Sequence, residues 1–288
     1  MARDGVVETK HGFCYEPLRG AVWWPAPTLN PSELVGYVLI IVLSNSRLSN
    51  AQSIEFPTCA QSEMLNTEIH LYIDESVLAE YSKAFVASKI ATWESYSNLV
   101  LKNSCIPITR KVTKVTYTPE IDSLWFQDLG AAERLLKLSM DEPIPETTKD
   151  GVPIFTGIVF SNYNSSFESD YCGVSSSVSN FFSLAINCPD HLMEHEIGHL
   201  SGANHDYKTL LKDFDSIESY LSGTYPRALQ YSFGAICADR GTVMSYERDV
   251  IPAYSSPDIR VDGIKCGDSK YHNNARVLRE FAHAYLTP

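Results

Sequence analysis

The stretch His191-Leu-Met-Glu-His-Glu-Ile-Gly-His-Leu-Ser-Gly-Ala-Asn-His-Asp206 governs how the rest of the chain is interpreted. Within it, His195 and His199 are four residues apart, so on a helix both imidazoles project from one face and can reach one metal ion. Gly202 is the expected end of that helix, because glycine accepts the left-handed backbone that turns the chain. The turn brings back His205 as a third ligand. Three histidines leave the fourth position of a tetrahedral zinc ion open, which predicts a catalytic site.

Two further features extend this pattern. Glu196 is turned roughly 100° from its neighbour on the helix, so it lies beside the open metal position without filling it. Downstream, Gly241-Thr-Val-Met-Ser-Tyr246 places Met244 in a predicted turn. Alone, a methionine in a turn is a core residue. Together, the His-Glu-x-x-His-x-x-Gly-x-x-His motif and the methionine turn resemble the metzincins, a family of zinc metalloendopeptidases.

The resemblance assigns roles to the motif residues. Because Asp206 directly follows the third histidine, the motif is most similar to those of the reprolysin/adamalysin branch and of bacterial reprolysin-like (peptidyl-Asp) metallopeptidases. In reprolysins, the corresponding aspartate is a buried structural residue. In the implied reaction, one catalytic zinc ion activates water, and Glu196 takes the water's proton and delivers it to the leaving amine. Met244 becomes a hydrophobic floor under the ligands. Tyr246 has two interpretations, as an oxyanion donor or as a ring that packs the wall of the cleft.

His191 also lies four residues before His195, hence on the same helix face. A fourth histidine ligand would close the site, so we interpret His191 as the residue at the start of the helix. Asp213, Asp215 and Glu218 lack the spacing of an EF-hand, which leaves calcium binding open but unsupported.

The hydrophobic pattern upstream alternates between strand and helix. The predicted elements are a strand from residue 68, a helix over 75–101, a strand over 106–118, a helix over 123–140 and a strand over 152–160. The helix at 123–140 takes Leu124, Leu135, Leu136 and Leu138 as its apolar residues. This order predicts an α/β (α+β) fold in which helices cover a mixed, twisted sheet. The resemblance implies a catalytic domain over 66–288, with an upper part at about 66–202 and a smaller, irregular lower part at about 203–288. The helix at 123–140 and the segment 207–240 match no family landmark.

The stretch Cys172-Gly-Val and a following strand that ends near Cys188 are also similar to the bacterial relatives. The resemblance implies that residues 172–178 form an antiparallel edge strand beside the cleft. A peptide or protein substrate would then bind as an extended strand along this edge. It also implies a disulfide bond between Cys172 and Cys188.

The seven cysteines contain no Cys-x-x-Cys pair, which favours disulfides over a cysteine zinc ribbon. Cys237 and Cys266 flank the methionine turn and could be bridged. Loss of Cys14 with a signal segment would leave Cys59 and Cys105 as a third pair. An alternative role for Cys59, as a propeptide thiolate on the zinc, has no matching switch motif around it. Disulfides predict an oxidising compartment and hence a secreted protein.

Residues 1–65 form an N-terminal segment with signal-like or propeptide-like features. Its apolar run at 34–43 is too short to span a bilayer but suits the core of a signal peptide. The 33 residues before it carry only three basic side chains, so a buried strand is the alternative. No comparable run follows, which argues against a stable membrane span.

The net charge of −12 and the pI near 5.1 argue against a nucleic-acid or anionic-membrane partner. We therefore expect a monomeric, secreted zinc metalloendopeptidase. Two rival interpretations are a non-catalytic metzincin-like module that binds proteins, and a zinc ion used only for folding. The intact ligand set and glutamate argue against the first, and the open three-histidine site against the second.

Overall fold

A computed structural model describes residues 6–10, 53–60, 62–119, 121, 128–161, 171–223 and 229–286. The apolar run at 34–43, Cys14 and the first part of the helix predicted at 123–140 lie outside these ranges.

Within these ranges, the strands form one large sheet and two small ones. In chain order they are β1 (Val6–Lys10), β2 (Ile54–Glu55), β3 (Leu65–Asp74), β4 (Ile108–Thr118), β5 (Ile154–Phe160), β6 (Tyr171–Ser176), β7 (Phe181–Ala185), β8 (Ile236–Cys237), β9 (Arg240–Gly241), β10 (Ser256–Val261) and β11 (Ile264–Cys266). The large sheet has the order β1-β6-β7-β5-β3-β4, with β7, β5, β3 and β4 parallel and β6 antiparallel to β7. Strands β10 and β11 of the C-terminal half pair with the N-terminal strand β2 in a smaller antiparallel sheet, in the order β11-β10-β2. The predicted α+β fold class is therefore confirmed.

The helices follow the predicted order with one break. They are α1 (Glu75–Glu80), α2 (Lys83–Asn103), α3 (Leu129–Ser139), α4 (Leu192–Leu200), α5 (Tyr207–Leu210), α6 (Ile217–Gly223) and α7 (Asn274–Leu286). The single helix predicted over 75–101 is wrong, because the chain leaves the helical conformation at Tyr81 and Ser82. The Ser82 hydroxyl accepts a hydrogen bond from the Phe85 N–H at 3.2 Å and so caps the start of α2. In the first turn of α2, Val86 is buried and Phe85 is exposed.

Helix α3 begins at Leu129, because the Asp128 carboxylate caps it by accepting from the Ala131 N–H at 2.9 Å. Leu136 packs in the core, as the apolar pattern predicts. The same pattern places Leu138 with the apolar residues, and this is wrong, since its side chain is 83% exposed.

The position of β6 differs from the prediction that residues 172–178 form the edge of the sheet. Strand β1 pairs antiparallel with β6, with Val7 opposite Ser175 and Glu8 opposite Val174. The antiparallel strand at this edge is therefore β1, and β6 is the second strand. Backbone pairing between segments about 165 residues apart leaves no local pattern in the sequence, so sequence spacing does not predict that β1 covers the edge of β6.

Three disulfide bonds connect the pairs Cys59–Cys105, Cys172–Cys188 and Cys237–Cys266, which confirms the predicted pairing. The alternative of Cys59 as a metal ligand is excluded by its bond to Cys105. Within the described ranges, every helix is too short or too polar to cross a bilayer.

Candidate metal centre

Helix α4, called the metal helix below, carries the first two histidines of the motif. It runs from Leu192 to Leu200, with His191 at its N-cap and Ser201 at its C-cap. The backbone then reverses at Gly202, whose φ is +96°, a conformation that glycine adopts without a steric penalty. The Ala203 N–H donates to the Gly198 carbonyl at 2.9 Å and closes the turn. This reversal brings the segment with His205 back toward the helix.

The ring nitrogens of the three histidines meet at one point. Nε2 of His205 lies 3.1 Å from Nε2 of His195 and 2.9 Å from Nε2 of His199. Three nitrogens bound tetrahedrally to zinc at 2.0–2.1 Å are about 3.3 Å apart, so the observed spacing is within a few tenths of an ångström of a zinc site. In the described part of the chain, no other group of three or more His, Cys, Asp or Glu side chains has this arrangement.

Backbone carbonyls orient two of these rings. Nδ1 of His195 lies 2.8 Å from the Val243 carbonyl oxygen, and Nδ1 of His199 lies 3.0 Å from the Ala203 carbonyl oxygen. Because a carbonyl only accepts, each Nδ1 carries the proton and each Nε2 keeps its lone pair. Such second contacts fix the tautomer that metal-binding histidines need.

Burial keeps the three rings uncharged. It lowers the pKa of His195 to about 4, and it lowers the pKa values of His199 and His205 well below their usual value. The lone pairs of neutral rings therefore point at one another across about 3 Å, an arrangement that a shared cation stabilises. The residues present thus fit a divalent metal ion held by imidazole nitrogens.

Glu196 lies beside these histidines in a site closed off by β6. Its carboxylate is fully buried, and neither oxygen has a hydrogen-bond partner of good geometry among the described residues. Burial raises the pKa of Glu196 to about 8, and the nearby Ser175 hydroxyl offsets this only in part. A bound cation would lower it again, because positive charge favours the ionised carboxylate. The site therefore holds a carboxylate suited to exchange protons near neutral pH.

The methionine turn lies under the metal helix. Met244 is fully buried, and its Sδ is 2.7 Å from the position that a Cβ on Gly198 would occupy. Only glycine at 198, between the two helical histidines, leaves room for the turn to approach this closely. The Tyr246 ring packs against His195 and His205, with ring centroids 5.8 and 4.6 Å apart.

The two remaining motif residues lie outside the three-histidine group. The Asp206 carboxylate accepts hydrogen bonds from the Thr209 N–H at 3.0 Å and from the Thr209 hydroxyl at 2.7 Å, so it caps α5. His191 occupies the N-cap of the metal helix and makes no capping bond with its side chain.

A buried polar network packs against the metal helix, and no sequence motif indicates it. Arg110 on β4 donates to both carboxylate oxygens of Glu194 at 3.3 Å, and both side chains are fully buried. The Tyr254 hydroxyl donates to the same carboxylate at 2.7 Å and also contacts the Glu194 carbonyl oxygen at 3.1 Å. Burial, and then the Glu194 carboxylate, hold the pKa of Tyr254 well above its usual value, so this hydroxyl stays protonated. The three residues come from segments up to 144 positions apart, and sequence spacing does not connect them.

No protein-family model matches this chain, and no protein among the curated ones matches it either. Seventy chains of solved structures match it in fold. A chain in the structure of a chaperone–substrate complex covers 78% of this chain, with 14% sequence identity and a TM-score of 0.51. The crystal structure of metalloproteinase-II from Bacteroides fragilis covers 70%, with 15% identity and a TM-score of 0.37.

The matched parts are 36% and 54% of those two chains, so this chain spans a third to about half of their lengths. At such low identity, the first likeness shows the shared fold alone. The second superposes too loosely to support an argument.

Proposed function

We propose that this chain is a zinc-dependent metalloendopeptidase of the metzincin type. The observation that carries the proposal is the convergence of three neutral histidine nitrogens beside a buried, unpaired carboxylate. His195, His199 and His205 would hold the ion, and Glu196 would supply the general base. When bound, zinc supplies Lewis acidity, which polarises a carbonyl and makes water a stronger nucleophile at neutral pH.

The chain's own residues account for the proton transfers. The Glu196 carboxylate would accept a proton from the attacking water and pass it to the leaving amine. Its burial supports this role, because a carboxyl whose pKa lies near the working pH both takes up and releases a proton. The Tyr246 ring packs beside His195 and His205, which supports either proposed role, as oxyanion donor or as part of the cleft wall.

The substrate would be a peptide bound in extended form along β6. Strand β6 passes directly over Glu196, since a Cβ on Gly173 would lie 2.6 Å from Glu196 Oε1. The outer edge of β6 already accepts an antiparallel strand, β1, through backbone pairing. A peptide substrate would take the place of β1 there, which puts its backbone beside the carboxylate.

Secretion is part of the proposal, since three disulfides persist where the surroundings are oxidising. The reprolysin-like branch is proposed from Asp206 at the end of the motif.

A metal-exchange assay tests the peptidase proposal. The purified protein is incubated with an unfolded protein substrate, then with a chelator, then with added zinc. We expect hydrolysis to stop on chelation and to return when zinc is restored. Hydrolysis that resists complete removal of the metal would exclude this site. A protein that binds zinc and substrate but leaves every peptide bond intact would support the non-catalytic binding module instead.

A further inference from the structure

The network behind the metal helix joins three parts of the fold. Arg110 lies on β4, Glu194 is in the first turn of the metal helix, and Tyr254 follows the methionine turn. All three side chains are fully buried. The Arg110 guanidinium also lies over the Phe155 ring, 4.9 Å from the ring centroid. The flat face of the guanidinium is therefore packed, while its N–H groups make the hydrogen bonds.

The contacts fall on one face of the metal helix. Arg110 reaches Glu194 near the start of the helix and the Ser201 hydroxyl at its C-cap, at 3.4 Å. Glu194, Gly198 and Ser201 are spaced by four and three residues, so they share a face. Tyr254 contacts the middle of that face, where its hydroxyl oxygen is 2.8 Å from the position of a Cβ on Gly198.

Contacts at two points along one face fix both the rotation and the translation of a helix. A helix free to rotate about its axis would swing the rings of His195 and His199 away from the common point. Glu194 immediately precedes His195, and its carbonyl oxygen lies 3.1 Å from the Tyr254 hydroxyl, whose single proton it shares with the Glu194 carboxylate. The backbone at the first ligand is therefore fixed directly.

Stability alone is a poor explanation for this arrangement. Removing two charges from water costs about as much as their attraction returns, and an apolar pair of similar volume is often equally stable. An apolar pair would not fix the rotation of the helix about its axis, because apolar contacts have no preferred direction. Hydrogen bonds of defined geometry do fix it.

We propose that Arg110, Glu194 and Tyr254 are positioning residues that set the rotation of the metal helix and so hold its two histidines in metal-binding geometry. The inference rests on the metal-binding part of the proposed function. It does not depend on whether the bound metal cleaves peptides.

The test compares zinc affinity with stability in the full chain. The double variant Arg110→Met/Glu194→Leu removes both charges together, and Arg276→Met/Glu280→Leu removes an exposed pair on α7 as a matched control. Zinc dissociation constants are measured by competition with a chelator, and unfolding by urea on the metal-free proteins. Visible absorption of bound Co²⁺ reports the coordination geometry.

We expect the first double variant to unfold near the wild-type midpoint, to bind zinc about 10–100-fold more weakly and to show an altered Co²⁺ spectrum. The control should match the wild type in all three measurements. Zinc affinity and a Co²⁺ spectrum equal to wild type in the folded double variant would overturn the inference.

Three further outcomes have defined consequences. If the double variant does not fold, Tyr254→Phe keeps the ion pair and removes one hydroxyl. We then expect the zinc dissociation constant to rise at least roughly threefold, and an unchanged dissociation constant would overturn the inference. A wild-type protein that binds no zinc would overturn both this inference and the proposed function. Zinc binding without hydrolysis would overturn the peptidase proposal alone, and the measured affinities would still decide this inference.

Discussion

A Cβ atom on Gly173 would lie 2.6 Å from Oε1 of Glu196, so β6 can pass the carboxylate at this distance only with a glycine at that position. The carboxylate carbon Cδ and the methylene carbon Cγ of Glu196 would each be 3.1 Å from the same Cβ, which is also closer than ordinary contact. Since Glu196 is fully buried, it has little room to retreat. The strand and the carboxylate therefore depend on each other for their positions.

Replacing Gly173 with alanine should separate metal binding from activity. We expect Gly173→Ala to displace the Glu196 carboxylate, to lower kcat/KM for peptide hydrolysis at least about tenfold and to destabilise the fold by about 1–3 kcal/mol. Zinc content should stay near one ion per chain, because the three histidines are untouched. Gly130→Ala on α3 is the control, since the side-chain atom nearest to its Cβ would be Asp128 Oδ1 at 3.4 Å, an ordinary contact distance. Equal kcat/KM for the two variants would contradict the proposed placement of β6 over the carboxylate.

The metal-free protein should be most stable near pH 6.5. Glu196 has a folded pKa of about 8, above its unfolded value of 4.5, so its contribution to stability declines as pH rises toward 8. His195 has a folded pKa of about 4, below its unfolded value of 6.5, so the unfolded chain takes up a proton first as pH falls below 6.5. That histidine alone would cost about 3 kcal/mol by pH 4. Burial lowers the pKa values of four more histidines in the same direction, namely His70, His191, His199 and His205.

Thermal unfolding of chelator-treated protein between pH 4.5 and 8.5 checks this expectation. The variant Glu196→Gln has no carboxyl to titrate, so its stability should no longer decline between pH 6.5 and 8. The loss of stability below pH 6.5 should remain in that variant. A stability that is flat from pH 8 to 4.5 in the wild type would contradict the burial of neutral histidines.

Strand β1 should compete with substrate, because it pairs along the side of β6 proposed for the peptide. Removal of residues 1–10 would free that edge, and we expect KM for an unfolded protein substrate to fall roughly tenfold, a change of about 1.4 kcal/mol. Removal of residues 1–5 keeps β1 and serves as the control. Michaelis–Menten analysis of both truncations measures the effect. The same KM in both would show that the substrate does not use this edge of β6.

Much of the fold followed from local patterns in the sequence. Strands β4 and β5 lie within the predicted strands at 106–118 and 152–160, whose apolar residues are visible without the tertiary structure. The metal motif could be predicted for the same reason, since the spacing of His195 and His199 on a helix determines where their rings point. The return of His205 depends on one turn at Gly202, which is again local.

The features that could not be predicted depend on distant parts of the chain. The pairing of β1 with β6 and the contact of Arg110 with Glu194 join segments that carry no shared signal. Gly198 is a different case, since glycine inside a helix is unfavourable and does mark a close approach. Gly198 therefore indicates that another segment packs closely against the helix, but the sequence does not indicate that this segment carries Met244 and Tyr254.

The two errors in the helices have a local cause. Ser82 interrupts the helix predicted over 75–101 because its hydroxyl caps α2, whereas a serine can also point to solvent from the surface of a continuous helix. The exposed Leu138 shows that apolar spacing near the end of a helix does not ensure burial, since none of the described residues covers its side chain.

The central claim is that the three histidines bind zinc and that Glu196 performs proton transfer. Its most direct test is the variant Glu196→Ala. The control is Glu146→Ala, which removes an exposed carboxylate outside the metal motif. Zinc content by atomic absorption and hydrolysis of an unfolded protein substrate are measured on the same samples. We predict about one zinc ion per chain in both variants, wild-type hydrolysis in Glu146→Ala and a loss of at least about a thousandfold in Glu196→Ala. Hydrolysis by zinc-loaded Glu196→Ala at the wild-type rate would contradict the claim.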